Sequence, residues 1–262
     1  MKNNSVLTLE YRYMKILSNA KIAGVYRSDR TGVGCKSLFN QSLSWRMDEG
    51  YFPMITGRKM YQNVFKTEFD WFLNGETNIR RFQDAGVKIW DAWADDKGDL
   101  GPVYGYQMLN FNNQSVNQLE AVIDSLKNKP DSRRHIISLW NPAQINEMAL
   151  PPCYLYFQFF VDHEGQLNMF VVQRSGDLFL GIPYDIALFS QMLLYISEQT
   201  GLTAGEIDLQ IVDAHCYTNH NDAVYDYTQQ RFQRPPKFTY KDSKLIIDNY
   251  KHGPRITAPV AV

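Results

Sequence analysis

Cysteine is scarce in this chain. Three occur in 262 residues, Cys35, Cys153 and Cys216. An odd number at wide spacing makes no disulfide framework, so a reducing compartment is expected and stability must come from a buried core. No apolar run approaches the roughly 18 residues that a membrane-spanning helix needs. The opening MKNNSVLTLEYRY also lacks the apolar centre of a signal peptide. The expected location is therefore the cytoplasm. Charge of one sign is missing too: 27 Lys and Arg stand against 28 Asp and Glu. That argues against a sequence-independent nucleic-acid binder, which needs a positive footprint. There is no repeat, no low-complexity stretch and no linker, and nothing marks a metal site. The expectation is one domain, residues 1–262.

What is present is apolar surface. Hydrophobic residues make up 44% of the chain and aromatics 14%, enough for a sizeable core. Helical spacing of Leu9, Tyr13, Ile16 and Leu17 predicts an amphipathic helix over 6–20. Further helices are expected over 61–73, 116–127 and 186–200, the last ended by Gly201. Strand-like runs fall at 37–45, in 149–161, at 170–172 and at 207–212, and a strand pair follows the Arg-Pro-Pro of 234–236. Helices and strands alternate without a regular βαβ order, which predicts an α+β fold.

Chemistry concentrates in Gln173–Ala187, QRSGDLFLGIPYDIA. Arg174, Ser175 and Asp177 follow an apolar strand, and Gly181 and Pro183 precede a long apolar helix. Polar groups crowded at such a junction suit a small anionic ligand. A surface turn capped by Asp177 and Asp185 uses the same residues. The loop SDRTGVGCKS offers Arg30 beside two glycines, either a phosphate cradle or an ordinary turn. Ile55–Lys59 places Arg58 and Lys59 in a loop. Glu68 sits among Phe65, Phe69, Trp71 and Phe72, where burial would raise its pKa toward proton-transfer use. Trp90 and Trp93 either line a flat aromatic pocket or pack in the core. Arg133 and Arg134 enter an apolar strand, odd for a solvated face but explicable by phosphate binding or an intersubunit salt bridge. Cys153 follows two prolines. Burial is the default for a free cysteine, while the prolines favour a positioned thiol. His215 and Tyr217 share one side of a strand by alternation.

In order and spacing, DRTGVG, IWDAWADDKGDLGPVYG, PDSRRHIISLWNP, ALPPC, QRSGDLFLGIP, DAHCYTNH and APVAV resemble the thymidylate synthase family over nearly the whole chain. The resemblance implies an α+β fold with a mixed six-stranded sheet and flanking helices, and a homodimer packed through that sheet. It implies one-carbon transfer from 5,10-methylenetetrahydrofolate to C5 of a pyrimidine nucleoside monophosphate. Cys153 would be the nucleophile at C6, which makes C5 reactive. Arg174 would bind phosphate and favour the thiolate. Arg30 and Ser175 would complete the cradle, with Arg133 and Arg134 given by the partner subunit. His215 and Tyr217 would bind the sugar hydroxyl, and Glu68 would relay protons. Ile89, Trp90, Trp93, Leu150, Asp177, Gly181 and Tyr184 would form the folate slot, closed by the tail with Ala261.

Four positions depart from the family pattern. Asp185 stands where the synthases have asparagine, whose amide both donates and accepts. An ionised aspartate only accepts, which suits the N4 amine of cytosine and refuses O4 of uracil. Discrimination of this kind reaches ~10⁴-fold. The deoxycytidylate hydroxymethylase branch carries the same substitution, whereas drift within an ordinary thymidylate synthase acting on dUMP would need no change of substrate. Tyr154 and Tyr61 each replace a histidine, and Arg58 replaces a lysine. The expected activity is 5-hydroxymethylation of dCMP. The intact APVAV tail keeps methylation of dCMP or CMP open, as it does CMP hydroxymethylation, because a closed site excludes water. Two other classes remain at this point. A cysteine hydrolase pairing Cys153 with His215 leaves the arginines unexplained, and a non-catalytic nucleotide- or RNA-binding module would not need the thiol.

Overall fold

A computed structural model describes residues 5–28 and 31–261. The chain begins with α1 (Val6–Ala23), capped by the Ser5 hydroxyl on the Leu7 amide, then β1 (Val25–Arg27) and the long β2 (Cys35–Arg46). Four helices follow: α2 (Gln62–Leu73), α3 (Arg80–Asp84), α4 (Gly105–Leu109) and α5 (Gln118–Asn128). Next come the short β3 (Ile136–Ser138), β4 (Tyr154–Val161) and β5 (Gln166–Asp177), then α6 (Ile182–Thr200) and β6 (Thr203–Tyr217). The short α7 (Asn221–Thr228) and a hairpin of β7 (Lys237–Lys241) and β8 (Lys244–Asp248) complete it.

Six strands form one mixed sheet in the order β1-β2-β6-β5-β4-β3. Its neighbours are antiparallel except β5 and β6, which run parallel because α6 carries the chain back across the sheet. The fold is the α+β arrangement expected, with the six-stranded mixed sheet and flanking helices.

Two expected boundaries move, and both matter for the site. Gln173–Asp177 is strand rather than loop, because β6 supplies parallel partners out to Asp177 opposite His215. Helix α6 starts at Ile182, with Pro183 inside its first turn, where the missing N–H costs nothing. Asp185 therefore sits in a helical first turn. Gly176 lets that turn approach the strand: a Cβ there would lie 2.7 Å from Ile182 Cδ1 and 3.1 Å from Ile211 Cγ2.

α6 is apolar nearly all round and is the core of the molecule. α6 packs on β5 and β6 and also against α2 and α5, and its Phe189 meets Tyr154 and Phe157 of β4 edge to face. Burial extends to Glu10 of α1. Its carboxylate accepts from the Thr56 amide and hydroxyl, from the Gly57 amide at 2.7 Å and from the Tyr227 hydroxyl at 2.7 Å. These bonds hold the loop before α2 against α1 and α7.

Arg58 lies in the loop expected before α2. It is buried, donates from Nη2 to the Phe179 carbonyl at 2.7 Å and lies 4.7 Å above the Phe179 ring. Phe179 belongs to the β5–α6 turn, so the buried guanidinium braces that turn from below.

Candidate active site

Three strand ends and the first turn of α6 converge on one place. Cys153 immediately precedes β4, half-buried, and its amide donates to the Tyr104 hydroxyl at 3.0 Å. Tyr104 is held at φ 33°, ψ −97°, an uncommon conformation for a bulky residue and a sign of local strain. The next residue must be glycine, since a Cβ on Gly105 would lie 2.5 Å from the Phe72 carbonyl oxygen. The prolines before Cys153 act through their carbonyls. Arg174 donates from Nε to Pro152 O at 2.9 Å and from Nη2 to Pro151 O at 2.8 Å, and its own amide binds Cys153 O. The guanidinium also lies over Trp140, 5.8 Å from the ring centre. Burial pushes the Cys153 thiol up, and the Arg174 charge opposes that rise.

Tyr154 and Gln173 are direct partners across β4 and β5 and so point to the same face. Asp185 comes down on that face from α6. The Tyr154 hydroxyl donates to Asp185 Oδ1 at 2.5 Å, and Gln173 Nε2 donates to Oδ2 at 2.9 Å. Asp185 is buried and its pKa is raised to about 6, desolvation outweighing the two hydrogen bonds. Glu68 of α2 is buried close by. Desolvation, followed by the Asp185 charge, pushes it up to about 8, and only the 3.3 Å bond from Trp90 Nε1 opposes this. A neutral Glu68 at pH 7 can donate or relay a proton beside an ionisable Asp185.

Around this centre, Ser175 Oγ lies 3.4 Å from His215 Nδ1. His215 and Tyr217 stack edge to face at 5.1 Å on β6. Asp177 binds the Phe179 and Leu180 amides through Oδ1, shaping the turn into α6. Arg133 and Arg134 are exposed just before β3, an edge strand. Among the described residues, no hydrogen bond or ion pair ties their side chains to the Cys153 set. Arg30 lies outside the described residues, as does the terminal Val262.

The aromatic wall differs from a flat slot. Trp90 is buried and meets Trp93 edge-on, with planes at 68° and centroids 5.8 Å apart. It also abuts Tyr104, so its main contact with the centre is its bond to Glu68. Ile89 is exposed, while Leu150 and Tyr184 are half-buried, and Tyr184 accepts from the Tyr61 amide at 3.3 Å. Trp93 Nε1 is buried without a partner, a donor that a heteroaromatic ligand could satisfy. Gly181 lies under this wall, its amide on Asp177 O.

The tail packs back on the chain, with Ala261 buried and Pro259 O accepting from His220 Nε2 at 2.9 Å. Tyr104, Gln173, Trp140 and His220 carry site geometry that sequence reading missed. Only Tyr104 left a local signal, a bulky residue wedged before Gly105. Among the described residues no group of three or more His, Cys, Asp or Glu could hold a metal ion. No described helix is long and apolar enough to cross a membrane.

A half-buried thiol beside an arginine, with two buried carboxylates of raised pKa nearby, is chemically suited to nucleophilic group transfer. The family model for thymidylate synthase matches residues 11–262, and the chain belongs to that family. It is a transferase acting on pyrimidine nucleotides, with folate-dependent one-carbon transfer to C5.

Proposed function

We propose that the protein is a dCMP 5-hydroxymethyltransferase. The observation that carries this reading is Asp185, a buried carboxylate whose oxygens are already fixed by donors from Tyr154 and Gln173. A carboxylate so held offers acceptors to the N4 amine of cytosine. Its raised pKa, about 6, lets it share one proton with ring N3. Uracil presents O4 instead and leaves two acceptors opposed.

In this reading Cys153 adds to C6 of the ring, which raises electron density at C5. Arg174, Ser175 and Arg30 take the phosphate, Asp177 lies on the nucleotide side of the β5–α6 turn, and His215 with Tyr217 takes the sugar. Glu68 relays the proton at the C4 edge. The cosubstrate 5,10-methylenetetrahydrofolate supplies the one-carbon unit. Ile89, Trp90, Trp93, Leu150, Asp177, Gly181, Tyr184 and Ala261 would hold it, with the unpartnered Trp93 Nε1 as a fitting donor. The hydroxyls of Tyr104 and Tyr154, both close enough to Glu68 to feel its charge, would offer partners to the water that hydration of the transferred carbon requires. The docked tail, with His220 on Pro259, favours the second reading, methylation, because it shuts water out.

Incubating dCMP, CMP and dUMP separately with the cosubstrate and weighing the products decides among these. A dCMP product heavier by CH₂O is expected, without dihydrofolate absorbance. A product heavier by CH₂ with rising absorbance means methylation, and turnover of dUMP alone sinks the cytidylate reading.

A homodimer through the outer sheet face belongs to the same proposal. Phe160, Phe170 and Val212 are exposed there, apolar surface that a partner sheet would cover. Arg133 and Arg134 would then act across the interface. An R133A/R134A protomer and a Cys153→Ser protomer, each inactive alone, are expected to regain turnover when unfolded and refolded together. Continued inactivity of the mixture would mean the arginines work in cis or not at all.

A further inference from the structure

We infer that Tyr154 is a specificity-determining residue: its hydroxyl, donating to Asp185 Oδ1, fixes that oxygen as an acceptor and so dictates which pyrimidine edge the site admits. The inference rests on the cytidylate reading above and assigns its selectivity to a second side chain.

The argument starts from proton placement. A neutral Asp185 has one O–H, and the oxygen that bears it decides the match. With the proton on one oxygen the carboxyl donates to cytosine N3 and accepts from N4. With the proton on the other it donates to uracil O4 and accepts from N3–H, as an asparagine amide does. Burial and a pKa near 6 make the neutral form accessible at working pH, so the negative charge alone does not guard the site. A further restraint is needed.

Tyr154 supplies it. Two donors hold the carboxylate charge, Tyr154 on Oδ1 at 2.5 Å and Gln173 on Oδ2 at 2.9 Å, and the Tyr154 bond lowers the Asp185 pKa more than the Gln173 bond does. The oxygen that receives the stronger donor is the poorer home for a proton. Titration therefore places the proton on Oδ2, with Oδ1 assigned to the C4 substituent of the ring and Oδ2 to N3. The phenol cannot drift, because Tyr154 is wedged between Phe189, Tyr104 and Phe157. Its own pKa lies well above the ordinary phenol, through burial first and the Asp185 charge second, so it stays a donor. The other titratable groups facing Asp185 are Glu68 from α2, Tyr104, the Cys153 thiol and Asp177. All are neutral or negative, and none replaces the Tyr154 donor.

The test compares kcat/KM for dCMP and dUMP in wild type and Tyr154→Phe, from about pH 8 down to about pH 5 across the Asp185 titration. Wild type is expected to keep its dCMP preference throughout, since protonation fills Oδ2. Tyr154→Phe should narrow the dCMP:dUMP ratio by about tenfold or more, most at the acid end, as one charge-assisted hydrogen bond is lost. The KM for the folate should not move. An unchanged ratio in Tyr154→Phe, with wild type still preferring dCMP, overturns the role of Tyr154 alone. Should the variant fail to fold, the wild-type profile decides: a preference that collapses toward unity below about pH 6 refutes localisation of the proton. A wild type that prefers dUMP at every pH overturns both this inference and the cytidylate reading.

Discussion

Asp185→Asn is expected to exchange one substrate for another, losing most turnover of dCMP and gaining turnover of dUMP. The amide places a donor where the carboxylate had only acceptors, so O4 of uracil is satisfied and N3–H meets the amide oxygen. Cytosine then faces a donor with its own amine, the mismatch that uracil suffers in wild type. Buried unpaired polar groups separate substrates by as much as ~10⁴-fold, and a swing of at least ~10² in the dCMP:dUMP ratio of kcat/KM is expected.

The surroundings are ready to accept the change. The new Asn nitrogen takes the place of Oδ1, where the Tyr154 hydroxyl can accept from it, and Gln173 Nε2 goes on donating to the remaining oxygen. The Tyr154 hydroxyl donates or accepts as required. Stability should rise at neutral pH. A carboxyl whose folded pKa lies above its unfolded value contributes stability only at low pH, and loses it as pH climbs through the folded pKa, here about 6. Removing Asp185 relieves a cost on the order of 3 kcal/mol above that pH and nothing below about pH 4. Thermal melts at both pH values, beside the kinetics, check the two halves. A variant that still prefers dCMP would show that the base is read elsewhere.

How much of this was legible before the structure depends on how local each signal is. Cys153 after two prolines, the Arg174-Ser175-Gly176-Asp177 run and the DAHCYTNH segment announce themselves by residue type. The α+β class also followed from the lack of βαβ order, while the mixed six-stranded sheet came from the family resemblance. What stayed hidden were contacts between distant segments. Glu10 meets Thr56 and Tyr227, 46 and 217 residues away, and no periodicity reports such a pairing. Arg58 resembled a loop cation because its partner, the Phe179 carbonyl, lies 121 residues on. Boundaries failed for a related reason. The polar run 173–177 looks like loop by composition, yet a parallel neighbour makes it strand, tertiary context overriding propensity. The alignment of Tyr154 with Gln173 needed strand register, which one sequence does not contain.

Cys153→Ser should abolish turnover while leaving the nucleotide bound. The substitution exchanges one atom and keeps the backbone bonds that fix the position, Cys153 N to Tyr104 and Arg174 N to Cys153 O. Little stability is at stake, and the phosphate-binding candidates Arg174 and Ser175 are untouched. The chemistry is another matter. A thiol is within reach of ionisation even when burial raises its pKa, and Arg174 opposes that rise. Among the described residues no hydrogen bond joins Cys153 to His215 or to a carboxylate, and His215 Nδ1 lies 3.4 Å from Ser175 Oγ. Neither a hydrogen-bonded base for a serine at 153 nor the Cys153–His215 pair of a hydrolase is therefore in place. Loss of a covalent nucleophile costs on the order of 10⁴-fold or more in kcat, against a change of no more than about threefold expected in nucleotide Kd by calorimetry. Turnover within tenfold of wild type would exclude the covalent route through Cys153.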